Sequence, residues 1–410
     1  VQIVSIAPVV PFDGIPHAGG QYFLRHVRAL RALGNEVTVV APATVENRAA
    51  ATSMEGEFAC VLVDVPEPAR GLRRMGAIVE RQQQRFFPVR PVGRLRRAFA
   101  SSAEVHARFF TADVIEFQWT ETGWLGRGIT TRARRIVFAH DVLLQTAERS
   151  VAAGGARWHP RALVARCRLL TVRRDERRVY ADADAVLVFS EKDATIVRRA
   201  SRSARVRVVR PPLADPLATP SPSASASPGG SVLFVGAFDR SVNADAALWI
   251  MREIAPRVRR RHPDAVFVFA GAHPTSEMVR ESSRRPEALK VTGRVESLEP
   301  FYAGAALALV PLRAGAGVKF KTVDAMVRGV PVVSTSIGVE GIVDDSLSVF
   351  AVADEADSLA DAVCVVLDDP SAARRQAAAV RRVAVEEFSA DRFLRTLADI
   401  YGPANALVER

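Results

Sequence analysis

Lysine is nearly absent from this chain. Of 56 basic residues only Lys192, Lys290, Lys319 and Lys321 are lysine, and 52 are arginine. Cysteine is as sparse: Cys60, Cys167 and Cys364 are odd in number, far apart and in no metal-ligand spacing. That excludes a disulfide scaffold and a cysteine zinc site, and predicts reduced thiols. No run approaches about 18 uninterrupted apolar residues, so no membrane-spanning helix is expected. The opening stretch Val1–Pro8 is apolar without a basic leader, which predicts a cytoplasmic location. Neither a P-loop nor a G-x-G-x-x-G followed at distance by an acid occurs, so NTPase, nicotinamide and flavin chemistry lose their support. No D-x-D metal pair is convincing either, because the "DAD" of Asp182–Asp184 precedes an apolar strand and reads as a helix end.

What is present is a long, apolar and unevenly charged chain. Its 410 residues, 49% of them hydrophobic, suffice for two domains with separate cores. Residues 1–200 hold 30 basic and 20 acidic side chains, against 26 and 25 in residues 201–410. The excess is densest from Arg70 to Arg97, where nine arginines meet one acid, Glu80, among apolar residues such as Met75, Phe86 and Phe87. Such a mixture can seat a protein on an anionic membrane or hold an anionic substrate; a solvated face is the alternative. Few aromatics and no recognition motif accompany it, so no nucleic acid partner is expected.

The stretch "DPLATPSPSASASPGG", residues 215–230, cannot bury a core and reads as a linker. One plan is used on both sides of it. In the first half "VQIVSIAP" and "EVTVVAP" are strands flanking a glycine loop and a helix with Phe23, Val27 and Leu30 on one face. In the second, "SVLFVGAF" and "AVFVFAG" flank a helix carrying Ile250, Ile254 and Val258. Further apolar runs, such as "RIVFAH", "AVLVFS", "LALVPL" and "PVVST", read as buried strands. The expectation is an α/β protein of two Rossmann-like, doubly wound domains facing across a cleft. The boundaries are 1–214, a linker at 215–230, 231–384, and a helical segment 385–410 that could cross back to the first domain.

Two of the four lysines sit together in "RAGAGVKFKTVDAMVRG", a glycine turn leading into a helix. Glycines at 315 and 317 let backbone approach a ligand, and a helix N-terminus offers unpaired N–H groups. Lysine in a first helical turn opposes the helix dipole, which suits an anion that balances it. A lysine also reaches a crowded phosphate through one atom, where arginine needs room for its planar fork. The turn therefore reads as a phosphate pocket.

This segment, "PLRAGAGVKFKTVDAMVRGVPVVSTSIGVEGI", resembles the nucleotide-sugar site of the retaining glycosyltransferases of family 4, which have the GT-B fold. "FVGAFDRSVNADAALWI", "VTGRVESLEPFYAGAALALVPL", "FAHDV" and "VRVVRPP" fall in the family's order. The resemblance implies that Asp324 holds the ribose and that Gly293, Arg294 and Val295 lie beside the base. Gly315, Gly317, Lys319 and Lys321 would border the diphosphate and donor sugar, with Gly19 and Gly20 as the first-domain glycine turn and His140 near the reacting sugar. Three departures stand out: Ala316 occupies the place of the family's first acid, Asp324 replaces a glutamate, and Ala237 and Val242 lack the family's cations. Arg240, Arg313, Lys319 and Lys321 are expected to supply that charge.

The implied activity is metal-independent transfer of a sugar from a nucleoside diphosphate sugar to an acceptor hydroxyl, with retention. Bacterial-type glycan or glycoconjugate synthesis is the implied setting, at the cytoplasmic face of a membrane if the acceptor is anionic or lipid-linked. No cofactor is expected. A nonhydrolysing nucleotide-sugar epimerase, or a catalytically weakened binding member given Ala316, remains open.

Overall fold

The structure is a computed structural model that describes all residues except 16–17, 68–72, 153–159, 214–229, 316, 344–346 and 403–410. The expected linker, apart from Gly230, and Ala316 lie outside the described residues, as does the start of the basic stretch. The chain forms two compact units, Val1–Pro211 with Phe393–Arg410, and Pro212–Arg392.

Unit 1 runs β1 (Gln2–Ile6), α1 (Ala18–Ala32), β2 (Glu36–Pro42), α2 (Val45–Ser53), β3 (Ala59–Val63), α3 (Arg73–Phe86), α4 (Gly93–Ser101), α5 (Ala103–Thr111), β4 (Val114–Gln118), β5 (Arg134–Ala139), α6 (Leu143–Ala152), α7 (Pro160–Ala181), β6 (Ala185–Val188), α8 (Glu191–Ala200) and β7 (Val206–Val208). Its sheet has the order β3-β2-β1-β4-β5-β6-β7, with every pairing parallel. The order reverses between β1 and β4, the switch point of a doubly wound sheet. Helices cover the strands, so β4 and β6 are buried along their whole length, as a parallel sheet requires. Phe23, Val27 and Leu30 of α1 are fully enclosed, each contributing about 1.5–3 kcal/mol by burial.

Unit 2 runs β8 (Ser231–Val235), α9 (Ser241–Trp249), a π turn over Ile250–Ile254, α10 (Ala255–Arg259), β9 (Phe267–Ala270), α11 (Ser276–Arg284), β10 (Leu289–Gly293), α12 (Glu299–Ala303), β11 (Ala305–Val310), α13 (Phe320–Val327), β12 (Val332–Ser334), β13 (Ala351–Val352), α14 (Ala356–Asp368) and α15 (Pro370–Glu387). Its parallel sheet has the order β10-β9-β8-β11-β12-β13, with the switch between β8 and β11. The helix carrying Ile250, Ile254 and Val258 packs these side chains into the core.

The last helix, α16 (Ala390–Tyr401), belongs to unit 1 from Phe393 onward. Its attachment explains an oddity of β4, whose sequence VIEFQ carries an acid in a central strand. Glu116 is wholly buried, accepts from Ser5 Oγ at 2.7 Å, meets His26 Nε2 at 2.7 Å and accepts from the Tyr401 hydroxyl. Burial pushes its carboxyl up, but His26 and the hydrogen bonds outweigh that and hold it down at about 2. Arg134 donates to the Ile400 carbonyl at 3.0 Å, and Arg207 pairs with Asp399, so polar contacts pin α16 at several points.

Candidate active site

In unit 2 the candidate residues gather at the carboxyl ends of β8 and β11. α13 begins at Phe320, so Lys319 is its N-cap and Lys321 lies in its first turn. Lys319 is buried and gives no side-chain cap; its Nζ turns back to the Gly317 carbonyl. The turn is built on glycines in the left-handed region, Gly315 at φ 119° and Gly317 at φ 70°.

Lys321 crosses the switch point. Its Nζ donates to Asn243 Oδ1 at 2.7 Å and lies 4.7 Å from the centroid of the Phe234 ring. Asn243 is itself fixed, donating from Nδ2 to the Ala237 carbonyl at 2.8 Å. Gly236 leaves room for this ammonium: a Cβ there would stand 3.2 Å from Nζ. The residue keeps some exposure, yet its charged end is enclosed. Burial, then Arg240 and Lys319, push the Lys321 ammonium down to about 7. The site thus holds a cation against local like charge, the electrostatic setting of an anion pocket.

The other unit 2 candidates surround this centre unequally. Arg240 is the exposed N-cap of α9. Asp324 is partly exposed one turn into α13, with Arg328 Nη1 3.4 Å from its Oδ1; Arg328 also grips Glu299 and lies 4.7 Å over the Tyr302 ring. Gly293 ends β10 at φ 70°, followed by the exposed Arg294 and the partly buried Val295. Arg313 is otherwise engaged: it forms a two-pronged pair with Asp245 at 3.0 and 2.6 Å and stacks over Trp249 at 4.8 Å. Hydroxyls fix the loops around the site, Thr322 Oγ1 donating to the Gly338 carbonyl and Thr335 Oγ1 to that of Leu312.

In unit 1, Gly19 and Gly20 form the first turn of α1 behind β1, and His140 follows β5. They are neighbours. A Cβ on Gly19 would come within 2.9 Å of Trp119 Cζ2 and 3.5 Å of His140 Nδ1. The His140 ring is buried, meets Gln118 Oε1 at 2.7 Å through Nε2, and stacks on Trp119 with centroids 4.0 Å apart. Trp119 adopts φ 67°, a strained conformation for a bulky residue, directly after β4.

Sequence reasoning missed Trp119, Gln118, Phe234 and Asn243. Trp119 alone has a signal, as a large aromatic directly after the end of β4. The others act by positioning, and a polar residue in a helix N-terminus or an aromatic in a strand carries no distinguishing pattern.

The basic stretch of unit 1 divides. Arg90 makes a two-pronged pair with the fully buried Asp175 at 2.6 and 2.9 Å, and Arg94 pairs with Glu80 at 2.7 Å. These are structural ties. Arg81 and Arg85 on α3 stay exposed, as do the apolar Met75, Ile78 and Val79 of the same helix, each about 60% accessible. A recess of about 970 Å³ opens at the other end of the sheet, at the starts of β2 and β3, away from the strand ends where such sheets bind ligands.

Two parallel doubly wound sheets with clusters at their switch points are the architecture of the GT-B glycosyltransferases. The chain belongs to this family: residues 18–212 match the glycosyl transferase 4-like domain, and residues 229–369 match the glycosyl transferases group 1 domain. An uncharacterised 44.6 kDa protein of the cps region of Klebsiella pneumoniae is 33% identical over 117 residues, 27% of this chain and 30% of that protein. The match thus spans about a third of that relative's length. Among solved structures, sucrose-phosphate synthase from Thermosynechococcus elongatus superposes with a TM-score of 0.69 at 18% identity, covering 98% of each chain. Anabaena HepE in complex with UDP does so at 0.67 and 14%, covering 98% of this chain and 99% of that one. At such identities the likeness is one of fold.

Proposed function

We propose that this chain transfers a sugar from a nucleoside diphosphate sugar to an acceptor hydroxyl, with retention at the anomeric carbon and without a metal. The observation that carries this reading is the enclosed Lys321 ammonium at the β8/β11 switch point, beside Gly236, Asn243 and the glycine turn of Lys319. A diphosphate placed there raises the Lys321 pKa again and relieves the repulsion from Arg240 and Lys319. The UDP held by HepE is in keeping with such a donor. Asp324 is assigned to the ribose, Gly293, Arg294 and Val295 to the base. Gly19, Gly20 and His140 are assigned to the diphosphate and sugar. Arg313, held by Asp245, contributes only at longer range.

In the reaction the bond from the anomeric carbon to the diphosphate oxygen breaks with its electron pair going to the diphosphate. The acceptor oxygen bonds to the same face of the sugar, and its proton passes to the departing oxygen. Lys321, Lys319 and the N–H groups of α13 gain interaction energy as charge grows on that oxygen, which lowers the barrier. Fixed cations in this role make a divalent ion dispensable.

The charge excess of residues 1–200 supports an anionic or lipid-linked acceptor. Incubation with a panel of nucleotide sugars, reading released nucleoside diphosphate with and without candidate acceptors, tests the function. Acceptor-dependent release that persists in EDTA is expected. A changed sugar on an intact nucleotide identifies an epimerase instead, and a strict magnesium requirement overturns the metal-independent step.

A further inference from the structure

A second cluster of cations lies on unit 1, outside the candidate active site. One face of α7 presents Leu170, Arg173, Arg174 and Arg177, at the i, i+3, i+4 and i+7 spacing that aligns side chains. Arg199, in the last turn of α8, and Arg202, two residues past its end, close the other side. Together they line a recess of about 400 Å³.

No acid is among the residues that line the recess. Asp175 and Glu176 are the adjacent acids in sequence, but both are fully buried: the oxygens of Asp175 are taken by Arg90, and Glu176 accepts from the N–H groups of Leu143 and Leu144 at 2.8 and 3.2 Å. Arg174 reaches only one Asp175 oxygen, at 3.3 Å. Arg173, Arg177, Arg199 and Arg202 are exposed and make no ion pair among the described residues, so their guanidinium groups are available to a ligand. The dipole at the end of α8 accounts for Arg199 alone. Arg173 and Arg174 stand four and three residues before Arg177 on one helix face, a like-charge spacing that costs helix stability and that an anion joining them would offset. Guanidinium forks match the oxygens of a phosphate, which can accept from several at once.

The recess also has one apolar wall. Leu170 is 68% exposed at its edge. α7 packs against α3, where Thr171 bonds the Phe86 carbonyl and the exposed Met75, Ile78 and Val79 lie. Cationic forks beside exposed apolar side chains suit an anion attached to a hydrocarbon.

We propose that the α7–α8 arginine recess is a binding site for a phosphate group, separate from the donor site of unit 2. Two probes distinguish the source of the phosphate: inorganic pyrophosphate in solution, followed by calorimetry, and vesicles of phosphatidylglycerol against phosphatidylcholine, followed by flotation. The full chain carrying Lys321→Ala serves as background in calorimetry, so that loss of the donor site and loss of the recess read separately. Arg173→Ala/Arg202→Ala on that background is expected to weaken binding of at least one probe by about 10-fold or more, the loss of roughly one charge-assisted hydrogen bond. The charge-matched Arg280→Ala/Arg375→Ala, on exposed positions of unit 2, leaves binding unchanged. An effect on vesicles alone assigns the phosphate to a lipid headgroup; an effect on pyrophosphate assigns a soluble ligand as well or instead. If the recess variant binds both probes as the charge-matched control does, the proposal is overturned.

Discussion

Lys321 concentrates the chemistry of unit 2 in one side chain. Lys321→Ala is expected to lower kcat/KM by about 10²-fold or more, as for loss of a preorganised donor to developing charge. Its proton also reports occupancy. With the folded pKa near 7 and the ordinary value at 10.5, the folded protein binds fewer protons than the unfolded chain between those values. Ligand-free stability therefore gains from Lys321 as pH rises from about 7 toward 10.5. Urea unfolding at a series of pH values should show that slope in the native chain, a smaller one in Lys321→Met, and its loss when nucleoside diphosphate is bound. Asp324 carries a different load. Asp324→Ala should weaken binding of the bare nucleoside diphosphate in calorimetry, and unchanged affinity would take it out of the site.

Helices and strands were legible to the extent that their side chains repeat. The buried runs of β1, β2, β4, β5, β6, β8, β9, β11 and β12 follow the apolar segments of the sequence. β3 carries a weaker signal, because ACVLV is only partly buried at the sheet edge. β13 has two residues and no pattern to detect. The lysine turn was legible as a glycine loop before a helix, but not the Arg313–Asp245 pair, since partners 68 residues apart leave no local trace. Glu116 shows the same limit. Its acid in a central strand becomes intelligible only with α16 in place, where Tyr401 and His26 offset the cost of burial. Tyr401→Phe is expected to destabilise unit 1 by about 1.5–3 kcal/mol in chemical denaturation, the range for a hydrogen bond to a charged group. Because the Glu116 carboxyl is held near 2, its contribution is present above about 4.5 and lost as pH falls toward 2. Glu116→Gln should flatten that acid limb of the stability curve.

Across the whole molecule, charge and fold are unevenly shared. Unit 2 carries the lysine turn and most of the expected donor residues, while unit 1 carries Gly19, Gly20, His140, the basic excess, the exposed apolar face of α3 and the arginine recess. Some arginines of unit 1 are structural, as Arg90 and Arg94 show, but each is matched by an acid, so these pairs leave the net excess unchanged. Among the described residues no helix is long and apolar enough to cross a membrane.

The return of α16 to unit 1 also orders events in time. A ribosome delivers β1 to β7 first, yet the helix bearing Phe393, Leu397 and Tyr401 emerges only after all of unit 2 has been made. Until then Glu116 has His26 and Ser5 but lacks the Tyr401 hydroxyl, and an apolar surface that Phe393 and Leu397 cover stays open. Unit 2, continuous in sequence, can complete itself during synthesis, whereas unit 1 matures last although it was made first. A released chain ending at Ser389 should therefore show a protease-resistant unit 2 beside a protease-sensitive unit 1, with resistance of the latter restored in the chain that includes Tyr401.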